Sequence, residues 1–174
     1  MEVLRQGASF PAPEAVEALY SIASASGPSA EPPEAAALFA SLYDLALDRS
    51  DTLAVAAIEI GELVGFAYGH RWSWQEQSDE WALDLFARLG ESADDLEGSC
   101  AIALLVVHPS FTRQGLGFET LKRLLIASGS PVHWVLTADA DSPARRLYRR
   151  MGFRPLGHGP QTAAGEPGLV LIHG

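Results

Sequence analysis

The feature that most constrains the fold is an unbroken apolar run, CAIALLVV, at residues 100–107. Because apolar and polar residues do not alternate in it, the run predicts a strand that is buried on both faces of a sheet. The turn HPSFTRQG follows directly and leads into an amphipathic helix predicted over 116–127. A buried strand that passes into a helix through a short turn indicates an α/β fold.

An early hairpin and a late series of alternating strands and helices complete the predicted fold. Residues 52–60 and 63–71 are apolar runs on either side of a Gly61-Glu62 turn, so they predict a β-hairpin. The order predicts one α/β domain with a mixed sheet and helices on both faces. The other predicted elements are a short first strand at 2–7, helices at 13–24, 31–48 and 143–150, and strands at 132–138 and 169–173.

The segment between the hairpin and the central strand predicts one more helix, over 79–89. Ser78 is its expected N-cap, and Gly90 is expected to end it. Trp72, Trp74 and Trp81 are clustered just after the hairpin. With nearby carboxylates these rings would suit a cationic amine, or they would pack the helix onto the sheet. Trp81 is expected to share one face of the helix with Leu85, Phe86 and Leu89.

The charge is divided unevenly along the chain, whose formal net charge is −10. Residues 1–100 hold 18 acidic residues against 4 arginines, whereas residues 101–174 hold 4 acidic residues against 8 lysines and arginines. Because the chain is acidic, we expect no nucleic-acid partner. The basic half suits a polyanionic cofactor. The acidic half suits a cationic partner, or it is a set of solvated helix faces.

The sequence further predicts a cytoplasmic protein that binds neither membrane nor metal. No apolar run reaches the roughly 20 residues of a membrane span, and the first residues lack the pattern of a signal peptide. Cys100 is the single cysteine, and on a buried strand it is expected to be a core residue. The spacing of His133, His158 and His173 predicts no metal site.

The turn after the central strand has the features of a phosphate site. Gly115 and Gly117 lie at the start of the predicted helix, whose first amides have no partners within the helix. The helix dipole adds positive potential, and glycine lets an anion approach the backbone closely. Arg113 could add a charge-assisted hydrogen bond. Taken alone, the two glycines would equally allow close packing of the helix on the sheet.

Two motifs in order narrow the choice of ligand. The stretch 104-LLVVHPSFTRQGLGFETLKRLL-125 resembles the cofactor-binding motif of the GCN5-related N-acetyltransferase (GNAT) superfamily. The stretch 144-ARRLYRRMGF-153 resembles the second motif of that family. With the hairpin included, the resemblance covers residues 52–174. It implies a GNAT-like fold and an enzyme that transfers acetyl from acetyl-CoA to an amine.

The resemblance also implies a role for each matching residue. The amide of Leu105 would bind the acetyl carbonyl, and Val106 and Val107 would contact the pantetheine arm. Tyr148 would give a proton to the departing thiolate, unless it is simply a core tyrosine. The expected phosphate-binding residues are Arg113, Gln114, Gly115, Leu116, Gly117 and Phe118. Asp141 and Ala144 are further expected cofactor contacts.

The chain departs from the family pattern at three positions. Thr112 stands where Arg or Gln is usual, and Asp141 stands where Asn is usual. Asp141 could instead cap the following helix, a role that is also open to Ser142. Ala101 stands where many relatives carry a glutamate that acts as the general base. The remaining candidates for that base are Glu97, Glu59, His70 and a chain of water molecules.

The resulting hypothesis is an N-acetyltransferase in which an amine attacks the thioester of acetyl-CoA directly. Residues 1–51 would form a helical part on the acceptor side, and residues 52–174 would form the hairpin and the acyl-CoA-binding core. The departures motivate an alternative, a module that binds acyl-CoA without turnover. A third hypothesis is a plain α/β domain without a coenzyme A site. The sequence leaves open the acceptor (a small-molecule or peptide amine), the acyl chain length and the oligomeric state, for which a homodimer is one option.

Overall fold

The computed structural model describes residues 1–5, 9–25, 32 and 34–174. Its strands are β1 (Glu2–Leu4), β2 (Leu53–Glu59), β3 (Glu62–Arg71), β4 (Cys100–Val107), β5 (His133–Ala138), β6 (Arg154–Gly159) and β7 (Gly168–His173). Its α-helices are α1 (Pro13–Ala25), α2 (Glu34–Leu47), α3 (Glu80–Leu89), α4 (Leu116–Ser128) and α5 (Pro143–Arg150). The strands of the described residues form a mixed sheet in the order β1-β2-β3-β4-β5-β7-β6, which confirms the predicted α/β class.

The described residues fall into two compact units, and β4 contributes to both. The first unit consists of Met1–His70 and Ala103–Gly129, and the second of Arg71–Ile102 and Ser130–Gly174. The functional division at residue 52 stays a prediction. The end of the strand predicted at 2–7 and the start of the helix predicted at 31–48 lie outside the described residues.

The first unit is built on the predicted hairpin. β2 and β3 are antiparallel, and β1 pairs antiparallel with β2. Helices α1 and α2 pack on one face of these strands around the buried ring of Tyr43, which lies 5.1 Å from the rings of both Phe66 and Tyr68. Helix α4 packs against β2. Its first residue, Leu116, lies against Gly65, which faces opposite to its neighbour Phe66 in β3. Helices therefore cover both faces of this part of the sheet.

The second unit contains the start of β4 and strands β5, β6 and β7, with α3 packed against β6. β5 and β7 are antiparallel, with His133 opposite His173, and β6 pairs with β7. The start of β4 pairs in parallel with β5, where Cys100 and Ala101 lie opposite His133 and Trp134. Buried residues of α3, among them Leu85 and Leu89, share a core cluster with Trp134 and residues of β7.

Strand β6 was absent from the predicted elements. Its sequence, RPLGHG, contains a proline and two glycines, which argue against a strand interior. The structure explains them, because β6 is an edge strand and proline is tolerated there. A Cβ atom at Gly157 would lie 2.9 Å from Leu89, and one at Gly159 would lie 2.5 Å from Leu136. The glycines therefore make room for side chains of α3 and β5.

The N-cap of α3 differs from the prediction, whereas its end is confirmed. The N-cap is Asp79, whose carboxylate accepts a hydrogen bond from the amide of Ala82 at 3.0 Å, so Ser78 is not the cap. The helix ends at Gly90, where the φ angle is 56°. Of the four residues expected to share a face, Leu85 and Leu89 are buried, whereas Trp81 and Phe86 remain 40% and 45% exposed. Helical spacing places apolar residues on one face but does not give the width of the stripe that is covered.

The hairpin turn lies one residue earlier than predicted. Ile60 and Gly61 connect Glu59 to Glu62, and both have positive φ angles, 51° and 84°. None of the helices in the described ranges combines the length and apolar character that crossing a bilayer requires.

Candidate functional site

The turn between β4 and α4 has a defined internal structure. A short 3-10 helix, Pro109–Phe111, follows His108, whose Nδ1 accepts a hydrogen bond from the amide of Ser110 at 3.2 Å. The Thr112 hydroxyl donates to the carbonyl of Pro109 at 2.8 Å. The Gln114 side-chain amide donates to the carbonyl of Ser110 at 2.9 Å. Thr112 therefore stabilises the turn itself, a role that the sequence pattern did not suggest.

Two residues of this turn adopt left-handed backbone conformations. Arg113 has a φ angle of 59° and Gly115 one of 84°. Gly115 is the N-cap of α4, and its carbonyl accepts from the amide of Glu119 at 3.0 Å. The amides of Leu116 and Gly117 precede this first helical hydrogen bond, so the helix itself offers them no acceptor. A turn of this kind followed by a helix N-terminus presents amides to an anion.

Gly115 and Gly65 are glycines for different reasons. A Cβ atom at Gly115 would meet nothing within 4 Å, so glycine is favoured there by the positive φ angle. A Cβ atom at Gly65 would lie 3.2 Å from Leu116 Cδ2 and 3.3 Å from the Cβ of Ala57. Close packing of the helix start on the sheet is therefore allowed by Gly65 in β3, a contact that the sequence analysis missed.

The backbone of β4 changes its hydrogen-bonding side along its length. Cys100 donates to the carbonyl of Val132, next to β5, whereas His108 donates to Val64 in β3, both at 2.9 Å. In a regular strand, amides eight residues apart point to the same side. The alternation is therefore interrupted between these residues, as in a β-bulge. Counted back from His108, the amides of Val107 and Leu105 point away from β3.

The burial of the β4 side chains also differs between the start and the end of the strand. Cys100, Ala101 and Ile102 are all buried, but from Ala103 to Val107 buried and half-buried residues alternate. The expectation of burial on both faces therefore holds only for the first part of the strand. Leu104 and Val106 belong to the core of the first unit, while the side chains of Leu105 and Val107 are half-buried.

In the second unit, α5 presents a short basic helix. Its N-cap is Ser142, whose hydroxyl accepts from the amide of Arg145 at 3.1 Å. Asp141 pairs instead with Arg146 at 2.8 Å, at an exposed position. Ala144 is exposed in the first turn. Ser142 is therefore the cap, and Asp141 stays a predicted cofactor contact.

Tyr148 is the buried residue of α5, with 4% exposure. Its ring lies 5.4 Å from that of Phe153, whose ring lies 5.1 Å from His173. Burial raises the pKa of the Tyr148 phenol well above its usual range, so the hydroxyl stays protonated at neutral pH. This group can donate a hydrogen bond, but it is a weaker acid than an exposed tyrosine.

Arg145 takes part in an ion-pair network that the sequence pattern did not indicate. Its guanidinium lies 2.9 Å from Asp139, and the second oxygen of Asp139 lies 3.0 Å from His158. A hydrogen bond from Arg145 and, to a smaller extent, one from His158 lower the pKa of Asp139. This network connects the end of β5 to α5 and β6.

The three candidates for the general base lie in different places. Both oxygens of Glu97 are engaged, one by the amide of Trp74 at 2.8 Å and the other by the hydroxyl of Ser73 at 3.0 Å. Glu97 therefore holds the segment before α3, which weakens its candidacy. Glu59 is exposed beside the hairpin turn, and His70 is half-buried near the opposite end of β3. Within the described residues, no three His, Cys, Asp or Glu side chains are grouped to hold a metal ion.

The mixed sheet and the strand–turn–helix of β4 and α4 define the class of the protein, an α/β domain with the acetyltransferase fold. A family model described as the acetyltransferase (GNAT) family matches residues 16–153, so the chain belongs to that family. This membership assigns it to the acetyl-CoA-dependent N-acetyltransferases.

Several solved structures share the fold. One is an aminoglycoside 6'-acetyltransferase of type Ii, at 18% identity and a TM-score of 0.63, with 99% of this chain and 96% of that chain covered. Another is yncA from Salmonella typhimurium, solved with its cofactor acetyl-CoA, at 16% identity and a TM-score of 0.61, covering 99% and 92%.

A third is a ribosomal-protein-alanine N-acetyltransferase from Brucella melitensis, at 14% identity and a TM-score of 0.60, covering 99% of both chains. At these identities the likeness shows the fold alone. No curated protein sequence matches the chain significantly.

Proposed function

We propose that the protein transfers the acetyl group of acetyl-CoA to an amine, and that the turn Arg113–Phe118 binds the pyrophosphate. The observation that carries the proposal is the backbone of this turn, with positive φ angles at Arg113 and Gly115 directly before the 13-residue helix α4. Amides at the start of such a helix stabilise phosphate without any side chain. The exposed guanidinium of Arg113 would add charge from the rim.

The proposed reaction needs hydrogen-bond donors where negative charge develops. The neutral amine attacks the carbonyl carbon, the thioester C–S bond breaks, and an amide and a thiol result. The outward amides of Leu105 and Val107 would bind the carbonyl oxygen and the pantetheine arm, with Val106 holding the strand in the core. Donors aimed at the developing oxyanion commonly contribute about 10²–10³ in rate.

Tyr148 is the proposed donor to the departing sulfur. Because burial raises its pKa, complete proton transfer to a thiolate would be less favourable than from an ordinary tyrosine. We therefore expect hydrogen-bond donation in the transition state rather than early protonation. The amine's proton would leave through water, Glu59 or His70.

The acceptor is proposed to be an amine on a small molecule or a peptide. The names of two structural neighbours cover both classes, an aminoglycoside and an alanine of a ribosomal protein. A homodimer and a cytoplasmic location stay predictions.

Thiol release tests the proposed transfer. The protein would be mixed with acetyl-CoA and a panel of polyamines, aminoglycosides, amino acids and peptide N-termini, and free thiol would be followed over time. We expect Tyr148→Phe to lower kcat by about 10²-fold, within the range of general acid–base effects. The control is Tyr68→Phe, which removes a hydroxyl from another buried tyrosine with a raised pKa. Equal rates in both variants would show that the Tyr148 hydroxyl has no role in the reaction.

A second candidate function is acyl-CoA binding without turnover. It is favoured by Ala101, which leaves no carboxylate at the family position of the base, and by the engagement of Glu97. Calorimetry with acetyl-CoA separates the two functions. Micromolar binding with no thiol release on any acceptor would support the binding module, and release above the rate without protein would support the enzyme.

A further inference from the structure

The short 3-10 helix Pro109–Phe111 ends in two carbonyl groups that side chains satisfy. The backbone amide and the hydroxyl of Thr112 both donate to the carbonyl of Pro109, at 3.2 and 2.8 Å. The side-chain amide of Gln114 donates to the carbonyl of Ser110 at 2.9 Å. Because the last carbonyls of a helix have no partners within the helix, these two side chains complete the hydrogen bonding of its end.

The two side-chain hydrogen bonds lie on either side of Arg113, whose backbone is left-handed. Its φ angle is 59°, a conformation that is unfavourable for a residue with a Cβ atom. Such a conformation persists where the surrounding structure fixes it. Thr112 before it is extended, with φ and ψ angles of −68° and 157°. Since both neighbours of Arg113 are tied to the same 3-10 helix, the connection between them is restricted to the left-handed conformation.

The backbone of Arg113 sets the direction of the amides that follow it. Gly115, with a φ angle of 84°, then begins α4, and the amides of Leu116 and Gly117 come next. Successive amides of such a turn bind an anion when they point to one place. A turn that already holds this arrangement loses less conformational entropy on binding. The apparent affinity falls in proportion to the fraction of molecules that hold it.

We propose that Thr112 and Gln114 are positioning residues, whose side chains hold Arg113 in the left-handed conformation and thereby set the affinity for the pyrophosphate of acetyl-CoA. The proposal rests on the proposed function, since it concerns the turn that is assigned there to the pyrophosphate. An uncharged hydroxyl does not replace the charge of an arginine at position 112. The hydrogen bond to Pro109 gives Thr112 a different role, which is to support the turn rather than to contact the ligand.

Thr112→Val tests this role by calorimetric titration with acetyl-CoA. Valine keeps the branched shape of threonine and loses the hydrogen-bond donor. The net contribution of one hydrogen bond corresponds to about a fivefold change in an equilibrium constant, so the Kd of acetyl-CoA should rise about fivefold. Thr112→Ser keeps the hydroxyl and should bind like the unmodified protein. S-acetyl-pantetheine, which lacks the pyrophosphate, should bind all three proteins with the same Kd.

Ser128→Ala is the matched control at the other end of α4. The Ser128 hydroxyl donates to the carbonyl three residues earlier, that of Leu125, at 2.8 Å, as Thr112 does to Pro109. Removing this bond should leave the Kd of acetyl-CoA unchanged. Gln114→Leu should raise that Kd about as much as Thr112→Val. The double variant should approach about a 25-fold loss if the two side chains act independently.

Glycine at position 113 shows whether Thr112 acts through the backbone conformation. Glycine populates positive and negative φ angles about equally, so the support from Thr112 changes the competent fraction by no more than about twofold. Arg113→Gly alone should weaken binding through the loss of the guanidinium charge. Adding Thr112→Val should then raise the Kd by less than about twofold. A full fivefold loss in this background would overturn the proposal, because Thr112 would then act on the ligand directly.

The positioning role and the pyrophosphate assignment fail in different ways. If the unmodified protein binds acetyl-CoA no more tightly than S-acetyl-pantetheine, the turn binds no pyrophosphate and both proposals are wrong. If it binds acetyl-CoA more tightly, but Thr112→Val and Ser128→Ala share its Kd, the pyrophosphate assignment stands and the positioning role is wrong. An equal loss for both ligands in Thr112→Val would place the effect outside the turn and would also overturn the positioning role.

Discussion

The sharpest test of the phosphate turn compares two glycines at the two ends of α4. Gly115 begins the helix with a φ angle of 84°, and Gly129 follows its last turn with a φ angle of 65°. A Cβ atom at either position meets nothing within 4 Å. Alanine therefore costs backbone strain at both positions, about 1–2 kcal/mol each, and no steric clash within the chain. The two variants should have similar thermal stability.

The variants should differ in cofactor affinity. At Gly115 a methyl group would be added directly beside the amides of Leu116 and Gly117, and we expect it to hinder the approach of an anion. Hydrogen bonds to a charged group contribute about 1.5–3 kcal/mol, so losing one raises the Kd of acetyl-CoA about 10- to 100-fold. Gly129→Ala should leave that Kd within about twofold of the unmodified protein.

The assay is calorimetric titration with acetyl-CoA and with S-acetyl-pantetheine, which lacks the pyrophosphate. Gly115→Ala should weaken only the first ligand. An equal loss for both ligands would place the effect outside the phosphate turn. An unchanged Kd for acetyl-CoA, with the expected loss of stability, would refute the argument that these amides bind phosphate.

Three further predictions concern stability. Ile60→Asn should raise the free energy of unfolding in urea by about 1 kcal/mol. The reason is that Ile60 and Gly61 both have positive φ angles, and Asn-Gly is the preferred pair in such a turn. An unchanged free energy of unfolding would contradict the turn assignment. Burial raises the pKa of Tyr43 and Tyr68. The stability that these two residues contribute is therefore complete below about pH 10 and is lost as the pH rises further. The midpoint of unfolding in urea should fall from about pH 10 to 11, and it should fall less steeply in Tyr68→Phe. Gly65→Ala should destabilise by about 1–3 kcal/mol through contact with Leu116, and Leu116→Ala should restore part of that loss in the double variant.

The fold was largely predictable because its main elements have strong local patterns. The apolar run of β4, the hairpin and the capped helices each follow from periodicity and turn residues alone. Strand β6 has no such pattern, since Pro155, Gly157 and Gly159 suit its edge position and the side chains that cross it. Only the tertiary packing of Leu89 and Leu136 explains those glycines.

The candidate site was predictable in outline and not in its supporting contacts. The glycine turn was visible as a motif, but the hydrogen bond from Thr112 to Pro109 depends on a 3-10 turn that spacing does not encode. The exposure of Trp81 and Phe86 was missed because helical spacing identifies an apolar stripe without showing how much of it a neighbour covers. The pairing of Arg145 with Asp139 required the end of β5 beside α5.

The way β4 is divided has a consequence for how the chain is made. Each compact unit is assembled from two separated pieces of sequence, and residues 71–102 leave the ribosome before the first unit can receive Leu104 and Val106. Until residues 103–129 are synthesised, the first unit therefore lacks part of its core. The edge of β3 that pairs with β4 also stays unpaired until then. A fragment that ends before Ala103 should therefore be less stable than the whole chain, because its first unit lacks Leu104 and Val106.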